Sequence, residues 1–360
     1  MRIVAHNGAL IWGGAERATV GLLAGLQARG HTVTLLCNNE VVADNCRARG
    51  VPASICVLGG DIAFYHAITL AGALRHLRPD AFVVGTYKKL LIATLGARLA
   101  HVPRIVARVG LESDVPRSSK YRFALRHWTD AVVVNASRIV RPFAELEGFG
   151  ASRVFLIHNG VHPARPESGE NNIRRDLNIP PGAFVVGTAA RIASQKRIDR
   201  LLRAVQLVPD ATCIVAGDGP ARQEIEATVA ALDLGGRVHL LGNCDDTADV
   251  LRALDVYVVS SDKEGLSNSM LEAMTAGLPI ISTDVSGAED ALIRAEFGNP
   301  AGIVTDFTSE SIATAITRLH SDPALRRSLG EAARTRADRH FSFDGMVEEW
   351  EALLQSGEFR

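Results

Sequence analysis

Short apolar runs rich in valine and isoleucine alternate with amphipathic segments along the whole chain. In the first half, seven such runs read RIVA, TVTLLC, ASICVL, AFVVG, RIVARV, AVVVN and RVFLI. Runs of this length, separated by segments with helical periodicity, are typical of parallel strands covered by helices on both faces. The segment from Ala15 to Arg29 is predicted to be a helix that ends at Gly30, before a strand begins at Thr32. The pattern predicts a doubly wound α/β domain with seven strands.

The same alternation restarts after a turn-rich segment, HNGVHPARPESGENN, so we place a linker near residues 160–172. Five further strands are predicted from AFVVGTAA, TCIVAG, RVHLLG, DVYVVS and LPIIST, which gives a second domain of the same class. The last amphipathic segment places Met346, Trp350 and Leu353 on one helical face and is too short to be a domain. We therefore predict domains at residues 1–165 and 166–340, and a helix at 341–360 that packs back toward the N-terminal domain.

Composition is consistent with two soluble domains in a reducing compartment. The chain has 360 residues, 47% of them hydrophobic, which is enough for two cores. Its five cysteines include no C-x-x-C pair, so we expect neither a disulfide framework nor a zinc site. No signal peptide is evident, and no stretch approaches the roughly 18 uninterrupted apolar residues of a spanning helix. We expect a cytoplasmic location.

The formal net charge of -1 hides an asymmetry between the two halves. Residues 1–165 contain 20 Lys and Arg against 10 Asp and Glu, whereas the remainder contains 19 against 30. Such a basic half either solubilises the protein or faces an anionic partner, such as a phosphorylated acceptor, a membrane surface or nucleic acid. The aromatic residues Tyr121, Phe123 and Trp128 in its most basic stretch are spaced as in a helix core, so we expect no nucleic acid.

Ligands of open parallel sheets bind beyond the carboxyl ends of the strands, so we looked for chemistry in the loops that follow strands. The loop HNGALIWGGAER contains Gly13 and Gly14 just before a helix, which indicates either an anion site or a tight turn. A later loop contains Arg191 and Lys196, two cations in the acidic half. They are either solvated charges or ligands of a diphosphate.

Two further loops follow strands in the second half. The segment VAGDGPARQEIEA predicts a glycine turn and a helix that starts at Pro220. The segment VVSSDKEGLSNSMLEAM places Glu264 at a strand end, and Ser269 with Glu272 fits a capping box at the next helix. Carboxylates beside a diphosphate are chemically reasonable if they accept hydrogen bonds from the hydroxyls of a sugar and a ribose.

The order GGAER, HNGV, R-x-x-x-x-K, GDGP, E-x7-E and A-x-x-AGLP resembles the retaining glycosyltransferases of family 4. The resemblance spans nearly the whole chain, and it is strongest over residues 185–290 and weaker over 38–150. It implies the GT-B fold, in which two Rossmann-like doubly wound parallel-sheet domains face each other across a cleft. It also implies a nucleotide-sugar donor, for which a UDP-sugar is favoured on frequency.

The resemblance also assigns roles to residues. Glu264 is expected to bind the donor sugar and Glu272 the nucleotide ribose, while Arg191 and Lys196 neutralise the diphosphate as it leaves. Glu264, Arg191 and Lys196 form the predicted catalytic set. The wider donor-binding set implied by the family consists of Gly13, Gly14, Gly217, Leu241, Gly242, Gly265, Leu266 and Ser267.

One position departs from the family pattern. Val109 stands where many relatives carry a histidine, and we consider Arg108 or His6 as its substitute. The predicted acceptor side comprises His6, Glu16, Arg108 and Asn159. Retention without an evident enzymatic nucleophile suggests front-face attack, with no metal and no cofactor, because two cations can neutralise the leaving group. The acidic residues at 245, 246 and 249 are interpreted as the first turn of a helix.

The predicted reaction is transfer of a hexose-type sugar to a hydroxyl of a glycan, lipid-linked or small-molecule acceptor. A cell-envelope precursor at the cytoplasmic membrane face fits the basic N-terminal half, which suggests a peripheral contact with anionic lipid. Two other enzymes of this architecture were considered, a UDP-sugar 2-epimerase and a phosphorylase. Phosphorylases are typically longer and bind pyridoxal phosphate through a lysine, for which no motif is evident. A non-enzymatic nucleotide- or nucleic-acid-binding protein is the third class.

Overall fold

The computed structural model describes residues 1–60, 63–115, 118–164, 173–244 and 247–356. They form two compact units. The first contains Met1–Asn159 and the C-terminal segment from Asp344, and the second contains Gly160–Phe343. The boundary that we predicted at residue 165, and the predicted linker from that residue onward, lie outside the described residues.

The first unit is built on a parallel sheet of seven described strands in the order β3-β2-β1-β4-β5-β6-β7. The strands are β1 (Arg2–Asn7), β2 (Thr32–Cys37), β3 (Ala53–Ile55), β4 (Ala81–Val84), β5 (Arg104–Val109), β6 (Ala131–Val134) and β7 (Val154–Leu156). The helices between them are α1 (Gly14–Ala28), α2 (Glu40–Arg47), α3 (Tyr65–Leu77), α4 (Leu90–Leu99), α5 (Ser119–Trp128) and α6 (Ser137–Ala144). The seven predicted strands are confirmed, as is the helix that precedes Gly30.

The strand order reverses at β1, which pairs with β2 on one side and β4 on the other. The loops after β1 and β4 therefore run in opposite directions over the sheet and leave a crevice between them, where ligands of such sheets bind. His6 lies opposite Val84 at this point of the register. This switch point places the predicted residues His6, Gly13 and Glu16 near one edge of the sheet.

The second unit contains a parallel sheet of six described strands in the order β10-β9-β8-β11-β12-β13. Its strands are β8 (Phe184–Ala189), β9 (Ala211–Ala216), β10 (Val238–Gly242), β11 (Val256–Val259), β12 (Ile280–Thr283) and β13 (Gly302–Thr305). Its helices are α7 (Ile173–Asp176), α8 (Ile198–Gln206), α9 (Arg222–Ala231), α10 (Ala248–Arg252), α11 (Asn268–Thr275), α12 (Ser309–Ser321) and α13 (Pro323–His340), with a π-helical turn at Glu289–Ile293.

Two details of this unit differ from the sequence prediction. The edge strand β13 was not predicted, because only two of its four residues, Ile303 and Val304, are large and apolar. Helix α9 begins at Arg222 and not at Pro220. The reason is that the backbone N–H of Ala221 donates to the carbonyl of Ile192, so residues 219–221 form a turn that packs on a neighbouring loop. Asp249 lies in the first turn of α10, while residues 245 and 246 lie outside the described residues.

The last helix, α14 (Phe343–Ser356), buries Met346, Trp350 and Leu353. Glu351 on this helix accepts hydrogen bonds from Arg29 Nε at 2.6 Å and His31 Nε2 at 2.7 Å. The apolar face and these two contacts attach α14 to the first unit. Across the five described ranges, we find no helix that is both long and apolar enough to cross a membrane.

Candidate functional site

The loops that follow β8 and β11 meet at one pocket in the second unit. The two strands are neighbours in the sheet, with Val186 opposite Val256, so their carboxyl ends lie at the same edge. The pocket is open to solvent, and its lining includes Lys196 and Glu264. Six other lining residues carry hydroxyl groups: Thr188, Tyr257, Ser260, Ser261, Ser267 and Ser269. This is a polar site suited to a ligand that is rich in hydroxyl groups.

Lys196 and Glu264 form an ion pair in this pocket. The Lys196 ammonium contacts Glu264 Oε1, and Ser261 Oγ donates to the same oxygen at 2.9 Å. The two charged side chains are only 19% and 12% exposed. Sequence analysis assigned both residues to one ligand, and the structure brings them into direct contact.

A cluster of charges behind the pocket joins the two loops. Arg200, on α8, is buried and donates to Asp262 Oδ1 at 2.6 Å and to the Ser260 carbonyl at 2.6 Å. Arg197 also donates to both carboxylate oxygens of Asp262, at 3.4 and 3.3 Å. The backbone N–H of Asp262 in turn donates to the Gln195 carbonyl at 2.9 Å. The loop that carries Lys196 is thereby held against the loop that carries Glu264.

The Gly-Asp-Gly turn after β9 supports the loop that carries Arg191. A Cβ atom on Gly217 would lie 2.0 Å from the Ala190 carbonyl oxygen, and one on Gly219 would lie 2.3 Å from the Ile192 carbonyl oxygen. Both glycines are therefore required by a close approach of two backbones. Arg191 itself is exposed, and its side chain has no hydrogen-bond or ion-pair partner among the described residues.

The predicted residues Leu241 and Gly242 lie at the end of β10. The Gly217 N–H donates to the Gly242 carbonyl at 2.7 Å, so these two glycines are adjacent. Gly242 has a positive φ of 75°, which a glycine adopts without strain. Leu241 packs against the core as a partly buried side chain. None of these three residues lines the pocket around Lys196.

Helix α11 begins beside the pocket, but its cap differs from the prediction. Ser267 is the N-cap and accepts from the Met270 N–H, so the predicted capping box of Ser269 and Glu272 is wrong. Its physical reason is the backbone: Ser267 has the extended conformation of an N-cap, whereas Ser269 is already inside the helix. Glu272 accepts a hydrogen bond from Thr247 Oγ1 at 3.2 Å and does not line the pocket.

The backbone of Gly265 and Leu266 is fixed by the segment that precedes the π-helical turn. The Ser286 N–H donates to the Glu264 carbonyl at 3.2 Å. A Cβ atom on Gly287 would lie 2.4 Å from the Gly265 carbonyl oxygen, so a larger residue cannot be accommodated there without a backbone shift. The residues at the start of α11 are thus held by the segment at Ser286 and Gly287 as well as by the cap of the helix itself.

In the first unit, His6 is fully buried, and its Nε2 donates to the Cys56 carbonyl at 3.0 Å. Burial, with a smaller contribution from the nearby Lys89, lowers the pKa of His6 to about 4. The imidazole is therefore neutral at physiological pH. Its Nδ1 atom has no hydrogen-bond partner among the described residues.

Arg108 and Asn159 are linked in the structure. Arg108 donates to Asn159 Oδ1 at 3.0 Å and to Thr19 Oγ1 at 3.1 Å. Burial lowers the pKa of Arg108 to about 10, so the guanidinium remains charged at neutral pH. The neighbouring Val109 is buried in β5.

Gly13 and Gly14 lie at the start of α1. Gly13 is the N-cap, and a Cβ atom on it would lie 3.2 Å from a carboxylate oxygen of Glu16. Glu16 also accepts a long contact of 3.5 Å from Asn7 Nδ2. A glycine offers no capping side chain, so the first N–H groups of α1 depend on other partners.

Two family models match the chain side by side. The model for glycosyl transferases group 1 matches residues 169–336, and the model for glycosyltransferase family 4 matches residues 12–165. The chain belongs to the group 1 glycosyltransferases. The predicted family is thereby confirmed, and the pocket around Lys196 lies within the part matched by the group 1 model.

Curated relatives of the chain carry names of the same kind. It is 30% identical over 229 residues to the lipopolysaccharide core biosynthesis glycosyltransferase LpsE of Rhizobium meliloti, an alignment that covers 63% of the chain and 65% of LpsE. It is 26% identical over 295 residues to the capsular polysaccharide biosynthesis glycosyltransferase CapM of Staphylococcus aureus, covering 76% of the chain and 75% of CapM. The chain thus spans slightly less than two thirds of LpsE.

Solved structures share the fold. The crystal structure of Anabaena HepE in complex with UDP-glucose superimposes with a TM-score of 0.85 at 18% identity, covering 99% of this chain and all of that one. WaaG, a glycosyltransferase involved in lipopolysaccharide biosynthesis, gives a TM-score of 0.75 at 17% identity, covering 99% and 100%. The predicted GT-B fold, with two parallel-sheet α/β domains, is confirmed.

Three residues that shape the pocket were not predicted from the sequence. Ser261 contacts Glu264 directly, and Arg200 with Asp262 joins the two loops. The available signal was the polar end of the strand VVSSDKEG, where Ser261 and Asp262 precede Glu264. Arg200 gave a weaker signal, a charged residue beside the apolar pair Leu201 and Leu202 at the start of a helix.

Proposed function

We propose that the chain transfers a hexose-type sugar from a nucleotide-sugar donor to a hydroxyl group of a glycoconjugate. The observation that carries this proposal is the contact of Lys196 with Glu264 in a pocket lined by hydroxyl groups, in a chain of this family. An ammonium group complements a diphosphate. A carboxylate accepts hydrogen bonds from sugar hydroxyls. Both parts of a nucleotide sugar therefore find suitable partners within one pocket.

The proposed donor site extends from this pocket along the second unit. Glu264 holds the sugar, and Lys196 with the exposed Arg191 binds the diphosphate. The N–H groups of Gly265, Leu266 and Ser267 at the start of α11 add to the anion site, since the N-terminus of a helix favours negative charge. Glu272 is proposed to bind the ribose.

A UDP-sugar is the proposed donor. Support comes from Anabaena HepE, whose crystal structures contain UDP and UDP-glucose. We place the uracil near Gly217, Leu241 and Gly242, where backbone groups of two adjacent strand ends lie together. UDP-sugars with glucose, galactose or N-acetylglucosamine are the first candidates.

The proposed mechanism is a front-face attack with retention of configuration. The acceptor hydroxyl enters on the side from which the diphosphate leaves, so the protein acts by positioning and by charge stabilisation. Arg191 and Lys196 carry the neutralising charge, and we propose that the reaction requires neither metal nor cofactor. Full transfer activity after treatment with EDTA supports this proposal, whereas a loss that Mg²⁺ restores opposes it.

The acceptor is proposed to bind the first unit, whose relatives include enzymes named for lipopolysaccharide core and capsule synthesis. Gly13, Gly14 and Glu16 are the candidates in the β1 loop, and Arg108 with Asn159 forms a second polar group. Because His6 is buried and neutral, we propose Arg108 as the better substitute for the absent histidine. A cell-envelope acceptor also fits the excess of basic residues before residue 165.

We further propose that this basic part contacts an anionic membrane surface from the cytoplasmic side. Liposomes that contain about a third anionic lipid test this directly. Increased sedimentation with anionic over neutral vesicles, reversed by salt, supports the contact. Equal partitioning with both kinds of vesicle contradicts the proposed membrane contact and leaves the transferase proposal unaffected.

The central experiment combines ligand binding with transfer. UDP, GDP and ADP and their glucose, galactose, N-acetylglucosamine and mannose conjugates are screened by thermal shift against the wild type, Lys196→Ala, Arg191→Ala and Arg203→Ala. A ligand at about 100 times its dissociation constant stabilises the native state by roughly 2.7 kcal/mol. We expect one nucleotide series to stabilise the wild type and the exposed control Arg203→Ala, and not Lys196→Ala.

Transfer is then assayed with that donor and extracted envelope glycolipids. Loss of transfer in Glu264→Ala with an unchanged thermal midpoint supports the site. Ordinary activity in this variant, or the absence of binding by any of the three nucleotide series, contradicts the proposal.

A further inference from the structure

The ammonium of Lys196 is already engaged by a carboxylate of the same pocket. It contacts Glu264 Oε1, and both side chains are largely buried, at 19% and 12% exposed. Arg191, the other cation assigned to the diphosphate, is exposed and has no side-chain partner among the described residues. The two cations are therefore not equivalent, because a ligand of Lys196 competes with an internal anion and a ligand of Arg191 does not.

The backbone holds this pair in place. Ser260 Oγ donates to the Lys196 carbonyl at 3.0 Å, and Asp262 N donates to the Gln195 carbonyl at 2.9 Å, so the two loops are joined on both sides of the pair. Ser286 N binds the Glu264 carbonyl at 3.2 Å from a third segment. Neither partner can therefore leave the other by a simple movement of its loop.

A diphosphate that binds Lys196 meets two costs at this pair. It must take the place of a charge-assisted hydrogen bond, and its own negative charge lies beside that of Glu264. A nucleotide sugar compensates for the first cost, because its sugar hydroxyls donate to the carboxylate that Lys196 releases. A free nucleoside diphosphate offers Glu264 no such donors.

We infer that Glu264 discriminates between the nucleotide sugar and the free nucleoside diphosphate by competing for Lys196. This inference rests on the proposed function, since it needs the diphosphate at Lys196 and the sugar at Glu264. It gives Glu264 a second role beyond holding the sugar. After transfer, the carboxylate returns to Lys196 and weakens the hold on the nucleoside diphosphate product, which favours its release.

The test is a comparison of two affinities in two variants. UDP and UDP-glucose are titrated by calorimetry into the wild type, Glu264→Gln and the control Glu331→Gln, which makes the same change of charge at an exposed position of α13. We expect Glu264→Gln to bind UDP about fivefold more tightly, within the value of one charge-assisted hydrogen bond. UDP-glucose is expected to bind no more tightly than to the wild type, and Glu331→Gln to change neither affinity.

The outcomes separate the inference from the proposed function. If UDP binds the wild type and Lys196→Ala weakens it, but Glu264→Gln leaves UDP affinity equal or lower, the inference is wrong and the donor site stands. If UDP, GDP and ADP all fail to bind the wild type, the proposed function itself is contradicted.

A second variant covers the possibility that Glu264→Gln does not fold. Ser261→Ala removes the 2.9 Å hydrogen bond to Glu264 and keeps its charge. Because the carboxylate then depends more heavily on Lys196, we expect UDP to bind about twofold to threefold more weakly. A tighter complex of Ser261→Ala with UDP contradicts the competition that we infer.

Discussion

Ser261 Oγ lies 2.9 Å from Glu264 Oε1, the oxygen atom that the Lys196 ammonium also contacts. One carboxylate oxygen thus receives a neutral and a charged donor from the two sides of the pocket. The hydroxyl orients the carboxylate independently of the lysine. This matters for catalysis, because a group that binds a transition state must be held in place before the substrate arrives.

The first prediction concerns this hydroxyl. Ser261→Ala is expected to lower kcat/KM about tenfold, the value of one hydrogen bond to a charged group, with little change in the thermal midpoint. Ser321→Ala is the matched control, since its hydroxyl is exposed and bonds only within α12. Steady-state kinetics with the donor identified by thermal shift give the answer. Unchanged kcat/KM in Ser261→Ala shows that Lys196 alone orients Glu264.

The second prediction concerns the close approach of the Gly-Asp-Gly turn to the loop that carries Arg191. Gly219→Ala places a methyl group 2.3 Å from the Ile192 carbonyl oxygen, which forces the two backbones apart. We expect a loss of about 2 kcal/mol in the free energy of unfolding and weaker donor binding. Gly235→Ala is the control, because a methyl group there has no neighbour within 4 Å. Equal stability of the two variants in urea unfolding contradicts the close approach.

The third prediction concerns the buried guanidinium behind the pocket. Arg200→Leu removes the donors to Asp262 and to the Ser260 carbonyl. The expected loss of stability is about 2 kcal/mol, less than for a fully buried pair, because the Asp262 side chain is 38% exposed and water screens it. We also expect a raised KM for the donor, since the two loops lose a connection.

Arg203→Leu is the control for that variant, because Arg203 lies on the same helix with its side chain exposed. If Arg200→Leu loses stability but keeps the wild-type KM for the donor, Arg200 stabilises the fold and does not support donor binding. An effect of Arg203→Leu as large as that of Arg200→Leu rules out a specific role for the buried position.

Most of the fold could be predicted from the sequence because buried parallel strands leave uninterrupted apolar runs. All seven runs of the first half became strands, and so did the five of the second half. The strand β13 was not predicted because Gly302 and Thr305 flank only two large apolar residues, so it leaves no apolar run like those of the other strands. The order of strands in a sheet leaves no such local signal.

That order explains which part of the site could not be predicted. Lys196 and Glu264 were each identified from their own loops. Their contact depends on β11 pairing with β8, although two strands separate them in the chain. The cap of α11 shows a second limit. Ser269 and Glu272 match a capping pattern in sequence, but the backbone places the start of the helix at Ser267, two residues earlier.

The fourth prediction tests this cap. Ser267→Ala is expected to cost about 1 kcal/mol of stability, because the Met270 N–H loses its side-chain acceptor. Glu272→Ala leaves that bond intact, so we expect a smaller loss of stability from it. Urea unfolding of both variants measures the difference. A larger loss of unfolding free energy in Glu272→Ala than in Ser267→Ala would contradict the cap seen in the structure and support the capping box of Ser269 and Glu272.

The last prediction concerns pH and the buried His6. Its pKa is about 4 in the native state and 6.5 in the unfolded chain, chiefly because burial disfavours the charged imidazolium. Between these values the unfolded state binds a proton that the native state does not, so the free energy of unfolding falls as the pH falls. Above pH 6.5 both states are neutral at this residue, and its contribution is fully present. Integrated down to pH 4, the loss is about 3 kcal/mol.

Urea unfolding of the wild type and His6→Gln at pH 7.5, 6 and 5 isolates this contribution, because other titrating groups are common to both proteins. We expect His6→Gln to be less stable than the wild type at pH 7.5, because the substitution changes the packing around Cys56. On acidification it is expected to lose less stability than the wild type. His76→Gln, at an exposed position of α3, should keep the wild-type dependence on pH. Parallel curves for the wild type and His6→Gln would show that the imidazole is solvated enough to titrate normally. His6 would then be accessible to an acceptor, and the preference for Arg108 as the substitute for the absent histidine would lose its basis.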